Sequence, residues 1–154
     1  MTGLPSPLLL NPSIHAHLIP SLALLHAKCI IDPPHSGGTF LAPLDTTVME
    51  TWWASRVAEV SEGFREIIVQ FGGQDTEEVV GVVMLSMPVS ATAAFKGYVE
   101  KLCVSTSFRG RGIARRLVDM LCDVAVERGR PLLVSGICCI SRCAGIDDGI
   151  DVGH

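Results

Sequence analysis

"FRGRGIARRLV", residues 108–118, sets two glycines between arginines and runs at once into an apolar helical pattern. Ile113, Leu117, Leu121 and Ala125 recur on one face, flanked by Ala114, Val118 and Cys122, while Arg115, Asp119, Asp123 and Glu127 face away. Gly129 supplies the stop and Pro131 the exit. A helix start carries four unpaired backbone N–H groups and about half a unit of positive charge. Where side chains are removed from the turn before it, a phosphate can rest directly on those N–H groups. Gly110 and Gly112 do that removal, and Arg109 and Arg111 add charge nearby. The stretch reads as a pyrophosphate cradle at a strand–loop–helix junction.

Charge around the cradle agrees. The whole chain has a net charge of −4. Residues 96–130 nevertheless hold eight Lys/Arg against four Asp/Glu. A basic island in an acidic protein marks a local anion site. It counts against a general nucleic-acid surface, which needs a wider basic face and interleaved aromatics.

Working outward, "PLLVSGI" after Pro131 reads as a strand. Three β segments precede the cradle: "FREIIVQF", "EEVVGVVMLSM" and "FKGYVEKLCV". Each is rich in β-branched or aromatic residues and bounded by turn formers, so a three-stranded antiparallel meander is the simplest arrangement. Upstream, Thr47 and Glu50 form a capping box that opens a helix with Val48, Trp52 or Trp53, Val57 and Val60 on one side. "DPPHSGGTFLAPLD" is a loop. "SIHAHLIPSLALLHAKCII" has helical spacing at Leu18, Leu22, Leu25 and Cys29, with Pro20 near its first turn. "PLLLN" reads as a short first strand.

At 154 residues, 48% hydrophobic and 18% charged, the chain has the composition of one globular domain. "LIPSLALLHAKCII" is too short to span a bilayer and is interrupted by Pro20, His26 and Lys28. The N-terminus lacks the positive segment of a secretory signal. These features predict a cytoplasmic protein with reduced thiols and no membrane partner.

The glycine pattern departs from the better-known phosphate fingerprints. A Walker A loop needs Lys-Ser/Thr after its last glycine, and here Ile113 follows Gly112. A dinucleotide fingerprint needs three glycines in an early βαβ unit. Arg109-Gly110-Arg111-Gly112-Ile113-Ala114 instead matches Arg/Gln-x-x-Gly-x-Gly/Ala. This resembles the acetyl-CoA motif of the GNAT superfamily of N-acetyltransferases. The order strand, two helices, three antiparallel strands, motif helix, strand is also similar to the GNAT order, over roughly residues 7–137. The run "VEKLCVSTSFRGRGIARRLV" looks most like the tabtoxin-resistance and phosphinothricin type.

The resemblance implies an α/β fold of the α+β kind: a mixed, mainly antiparallel sheet with flanking helices. It implies an acetyl-CoA-dependent transfer of an acetyl group to a primary amine of a small molecule, by direct attack and without a metal. Arg109, Gly110, Arg111, Gly112, Ile113 and Ala114 would form the cofactor turn, with the N–H groups of Arg111 through Ala114 on the pyrophosphate. Leu102, Cys103 and Val104 would lend backbone groups to the pantetheine arm. Glu100, on the strand face it would share with Tyr98 and Leu102, is the candidate general base.

The resemblance also implies a further helix and two strands after residue 137, the helix often carrying a tyrosine that protonates the departing thiolate. "CCISRCAGIDDGIDVGH" has neither periodicity nor tyrosine. The chain therefore divides into an incomplete domain at 1–137 and an irregular tail at 138–154. The uncovered last strand would favour a homodimer. An acetyl-CoA-binding fragment or pseudoenzyme without turnover is the alternative reading. Tyr98 reads as packing, Trp52 and Trp53 as core and rim, and the histidines as structural. The Cys103 thiol should face the core. Cys138, Cys139 and Cys143 lack the paired spacing of a zinc site.

Overall fold

The computed structural model describes residues 3–33, 35, 39–135 and, as backbone, 139–140. Its sheet has the order β1-β2-β3-β4-β5-β6, formed by β1 Leu8–Leu9, β2 Arg65–Phe71, β3 Val79–Ser86, β4 Lys96–Val104, β5 Leu132–Val134 and β6 Cys139–Ile140. All neighbours are antiparallel except β4 and β5, which are parallel. The meander is β2-β3-β4. The mixed, mainly antiparallel sheet expected from the sequence is the one observed.

Helices cover both faces. On one lie α1 Pro12–His15, a 3₁₀ turn Ala16–Leu18, α2 Ile19–Ile31 and α3 Thr46–Ser61. Leu18, Leu22, Leu25 and Cys29 pack there with Met49, Trp53 and Val57 against Ile67, Val69, Val82 and Met84. On the other face, α4 Ile113–Glu127 lays Ile113, Leu117, Leu121 and Ala125 on Ile68, Val83, Leu85 and Leu133. Each such large side chain, fully buried, stabilises the fold by about 1.5–3 kcal/mol relative to exposure. Pro20 falls in the first turn of α2, where its missing N–H costs nothing. Gly129, at φ 72°, follows the end of α4 as the left-handed stop.

Several sequence expectations are corrected. The cap of α3 is Asp45, whose carboxylate accepts from Val48 N at 3.2 Å, and Thr47 lies within the helix. A carboxylate at the positive end of the helix dipole is the stronger acceptor. The buried face of α3 begins at Met49, while Val48 is exposed. Residues Pro12–Ile31 together reach 20 residues at mean hydropathy 1.4, long and apolar enough to cross a membrane by those measures. In the fold, this stretch bends through three helical pieces and buries one face against the sheet, as a core helix does. Of the 138–154 tail, the strand Cys139–Ile140 is described, paired to β5. The rest of the tail lies outside the described residues.

Candidate functional site

The cradle turn follows from its glycines. Gly110 and Gly112 both adopt left-handed backbone, at φ 78° and 76°. A side chain at either would be strained, although a Cβ there would meet no protein atom within 4 Å. The space above the turn is open to a ligand. Gly112 is the N-cap of α4 and no side chain caps the helix. The first-turn N–H groups therefore face a cleft of about 380 Å³ lined by Leu102, Val104, Phe108, Arg109, Gly110, Gly112, Ile113 and Ala114. A third glycine sets the height of the turn over the sheet. A Cβ on Gly81 would fall 2.7 Å from Ile113 Cγ2 and 3.1 Å from Leu117 Cδ1.

The two cradle arginines differ in what they touch. Arg109 turns back, its Nε donating to Val104 O at 3.3 Å. Arg111 lies over the Phe108 ring, 4.8 Å from its centroid. Phe108 in turn packs close to Gly72. Helix dipole and backbone N–H groups thus dominate the turn, with Arg111 as the cation at its rim.

The second part of the site is the end of β4 beyond its described pairing with β5. Strand β5 pairs with β4 at Lys96–Leu132, Gly97–Leu133 and Tyr98–Val134. Beyond Tyr98, no described residue of β5 pairs with β4. Leu102 and Val104 of this stretch line the cleft together with the cradle. Leu102, Val104 and the residues from Arg109 to Ala114 are thus brought together. Cys103 points the other way, its thiol 2% exposed in the core, as its sequence neighbours imply. There it meets Cys29, which donates to Val104 O at 3.5 Å. The hydrogen bond from Cys103 pulls the Cys29 thiol down to about 7, against burial and with help from Arg109. The same hydrogen bond, with burial, pushes Cys103 up.

Within β4, the expected shared face of Tyr98, Glu100 and Leu102 is corrected. Val82 pairs with Cys103 but Met84 pairs with Glu100, so Lys101 and Leu102 both stand opposite Val83. Lys101 is left-handed, at φ 52°. This bulge resets the alternation. Glu100 remains on the α3 side, while Leu102 turns to the cleft.

Glu100 does not stand alone. Arg65, 5% exposed, donates to Glu100 Oε2 and to Glu59 Oε2, each at 2.7 Å. Burial pulls the Arg65 guanidinium down, but these two carboxylates outweigh it and raise it above its ordinary value. Glu59 also pairs with Arg56 at 2.8 Å. Arg56 and Lys101 both lie over the half-buried Trp52, at 5.3 and 5.6 Å from its ring centroid. Trp53 is buried and donates from Nε1 to His26 Nδ1 at 3.2 Å. The sequence pattern passed over Arg65, Arg56 and Glu59. An arginine opening a strand and charges on an amphipathic helix read as solvent-facing until the sheet and α3 are brought together. The cysteines at 138, 139 and 143 lie where no side chain is described.

Three solved structures share the architecture. An acetyltransferase from Trypanosoma brucei matches at 19% identity and TM-score 0.61, covering 88% of this chain and 84% of the other. yncA from Salmonella typhimurium, solved with its cofactor acetyl-CoA, matches at 15% identity and TM-score 0.61, covering 88% and 70%. The ribosomal-protein-alanine N-acetyltransferase from Brucella melitensis biovar Abortus matches at 23% identity and TM-score 0.57, covering 88% and 81%. At these identities the likeness is one of fold. Residues 38–135, from the loop before α3 through β5 and including the glycine turn, match the acetyltransferase (GNAT) family, and the chain belongs to that family.

Proposed function

We propose that this chain binds acetyl-CoA and transfers its acetyl group to the primary amine of a small molecule. The observation that carries the reading is the junction of two backbone features in one cleft: the uncapped start of α4 and the end of β4 beyond Tyr98, with which no described residue of β5 pairs. A pyrophosphate fits the first, held by the N–H groups of Arg111 through Ala114 with Arg109, Gly110 and Gly112 shaping the turn. An extended amide-containing arm fits the second, along the backbone of Leu102, Cys103 and Val104. Support comes from relatives of the same fold that are solved with acetyl-CoA.

In this reading the acceptor approaches on the α3 side, where Glu100 is 44% exposed. Glu100 holds the acceptor's ammonium and takes a proton from it. The free amine attacks the thioester carbon, a backbone N–H of β4 stabilises the oxyanion, and the carbon–sulfur bond breaks. The departing thiolate takes one proton, and the acetylated nitrogen loses its second to solvent. The test is thiol release from acetyl-CoA over a panel of primary amines, with Glu100→Gln beside the wild type. Amine-dependent release that falls about 10²–10⁴-fold in Glu100→Gln supports the reading. Equal release by both removes Glu100 as base.

The second reading, an acetyl-CoA binder without turnover, is favoured by one contact. The Glu100 carboxylate is already committed to Arg65 at 2.7 Å. Binding of acetyl-CoA with no thiol release over the panel would select it.

A further inference from the structure

Glu100 stands at the centre of the proposed chemistry, yet its own strand does little to fix it. The left-handed Lys101 follows at once, and the register between β3 and β4 shifts there. The Glu100 carboxylate is 44% exposed, at the end of a long side chain with several rotatable bonds. What holds it comes from β2. Arg65 Nη1 donates to Glu100 Oε2 at 2.7 Å and lies 3.8 Å from Sδ of Met84, the residue of β3 that pairs with Glu100. Arg65 Nε donates to Glu59 Oε2 at 2.7 Å, and Glu59 is itself paired with Arg56. A guanidinium is planar and presents its donors in a rigid fork. With Nε on Glu59 and the group only 5% exposed, Nη1 meets Glu100 from a set direction. The bond takes one oxygen of the carboxylate, Oε2. A buried charge is a costly way to stabilise a fold, since apolar residues of similar volume often do as well. A buried arginine that aims an exposed carboxylate has a use beyond packing.

We propose that Arg65 is a positioning residue for acetyl transfer: by holding Glu100 Oε2 it turns Oε1 toward the acceptor's ammonium. The inference rests on the acetyl-transfer reading above, in which Glu100 takes the proton. Arg65 is buried and touches neither acceptor nor cofactor; it acts through Glu100. Glu59 stands one bond further back and holds Arg65. The contact between Arg65 and Glu100 then serves turnover rather than opposing it.

The experiment is a double-mutant cycle read in kcat, using the best acceptor among 2-aminoethanol, 1,4-diaminobutane, 2-phenylethylamine and L-lysine. Wild type, Arg65→Met, Glu100→Gln and the double variant are compared at a temperature where melts show all four folded. A second arm uses Arg65→Lys, which keeps a cation but not the fork, and it carries the cycle alone if Arg65→Met does not fold. With Glu100 present, Arg65→Met should lower kcat about ten- to a hundredfold, the cost of a misplaced reacting group. Arg65→Lys should lose less. Acetyl-CoA affinity in calorimetry should be the same in all folded variants. With Glu100→Gln in place, the further loss from either Arg65 variant should stay within about twofold, because residues that act through one another are not additive. An equal loss in both backgrounds marks a merely structural role and overturns the inference. No loss with Glu100 present also overturns it, while a slow Glu100→Gln leaves the transfer reading standing. Weakened acetyl-CoA binding by folded Arg65→Lys overturns it as well. Full activity of Glu100→Gln removes the base and the inference with it. Binding of acetyl-CoA without acetylation of any of the four amines overturns the inference and leaves the cofactor half of the reading standing. Failure to bind acetyl-CoA removes that reading as well.

Discussion

Arg65 of β2 reaches across β3 to Glu100 of β4 and closes on its Oε2 at 2.7 Å, with Glu59 of α3 at the same distance on its other side. One buried guanidinium thus ties the helix layer to the strand that carries the candidate base. Arg65→Met would leave both carboxylates on that face without their shared cation. Breaking a buried pair from one side costs about 3–5 kcal/mol. The low end applies here, because Glu100 is 44% exposed and water relieves part of the loss. Urea unfolding should show the midpoint falling with little change in slope. A loss below about 0.5 kcal/mol, the range of an ordinary surface substitution, would contradict the role given to Arg65.

Gly81 sets how closely α4 sits on the sheet. Gly81→Ala places a methyl 2.7 Å from Ile113 Cγ2, and Ile113 is 1% exposed with little room to yield. Overpacking of this kind costs about 1–3 kcal/mol. Because Ile113 is the first residue of α4, the displaced helix start should also weaken acetyl-CoA several-fold. Thermal melts and a cofactor titration on the same variant check both effects. An unchanged melting temperature would mean the helix shifts freely.

Glu66 gives a pH-dependent test. It is 3% exposed and pairs with Arg128 at the end of α4. Burial raises its pKa, and Arg128 opposes the rise. A carboxyl raised in the fold disfavours ionisation there. Its contribution is fully present below the unfolded value of 4.5 and is lost as pH rises through the folded value. Glu66→Gln should therefore raise the melting temperature at pH 7.5, with the gain shrinking near pH 4. A variant less stable than wild type at neutral pH would show that the Arg128 pair outweighs burial.

Much of this architecture was legible residue by residue. The 3.6-residue recurrence of Ile113, Leu117, Leu121 and Ala125 fixed α4, and Gly110 with Gly112 marked the turn that the structure shows in left-handed backbone. The hidden features are those that residue type does not encode. Nothing in "VEKLCV" announces that Lys101 is left-handed, because lysine is not a left-handed former. A one-residue bulge then reverses every face assignment after it. Thr47 and Asp45 both had capping side chains, and choosing between them required the helix start itself. Arg65 looked like a surface residue because the two carboxylates it bonds, Glu59 and Glu100, lie 6 and 35 residues away in sequence.

The central claim is that acetyl-CoA sits on the glycine turn at the start of α4. Gly112→Asp is the sharpest probe of it. Gly112 is at φ 76° with open space before it, so aspartate adds a strained backbone, a side chain and a negative charge where the pyrophosphate would rest. The measurement is a calorimetric titration of acetyl-CoA into wild type and Gly112→Asp, with circular dichroism confirming that the variant is folded. Saturable one-to-one binding by wild type, weakened at least about a hundredfold in the variant (two factors of ten at 1.4 kcal/mol each), is the result predicted. Equal affinity in the two folded proteins would contradict the assignment of this turn as the cofactor site.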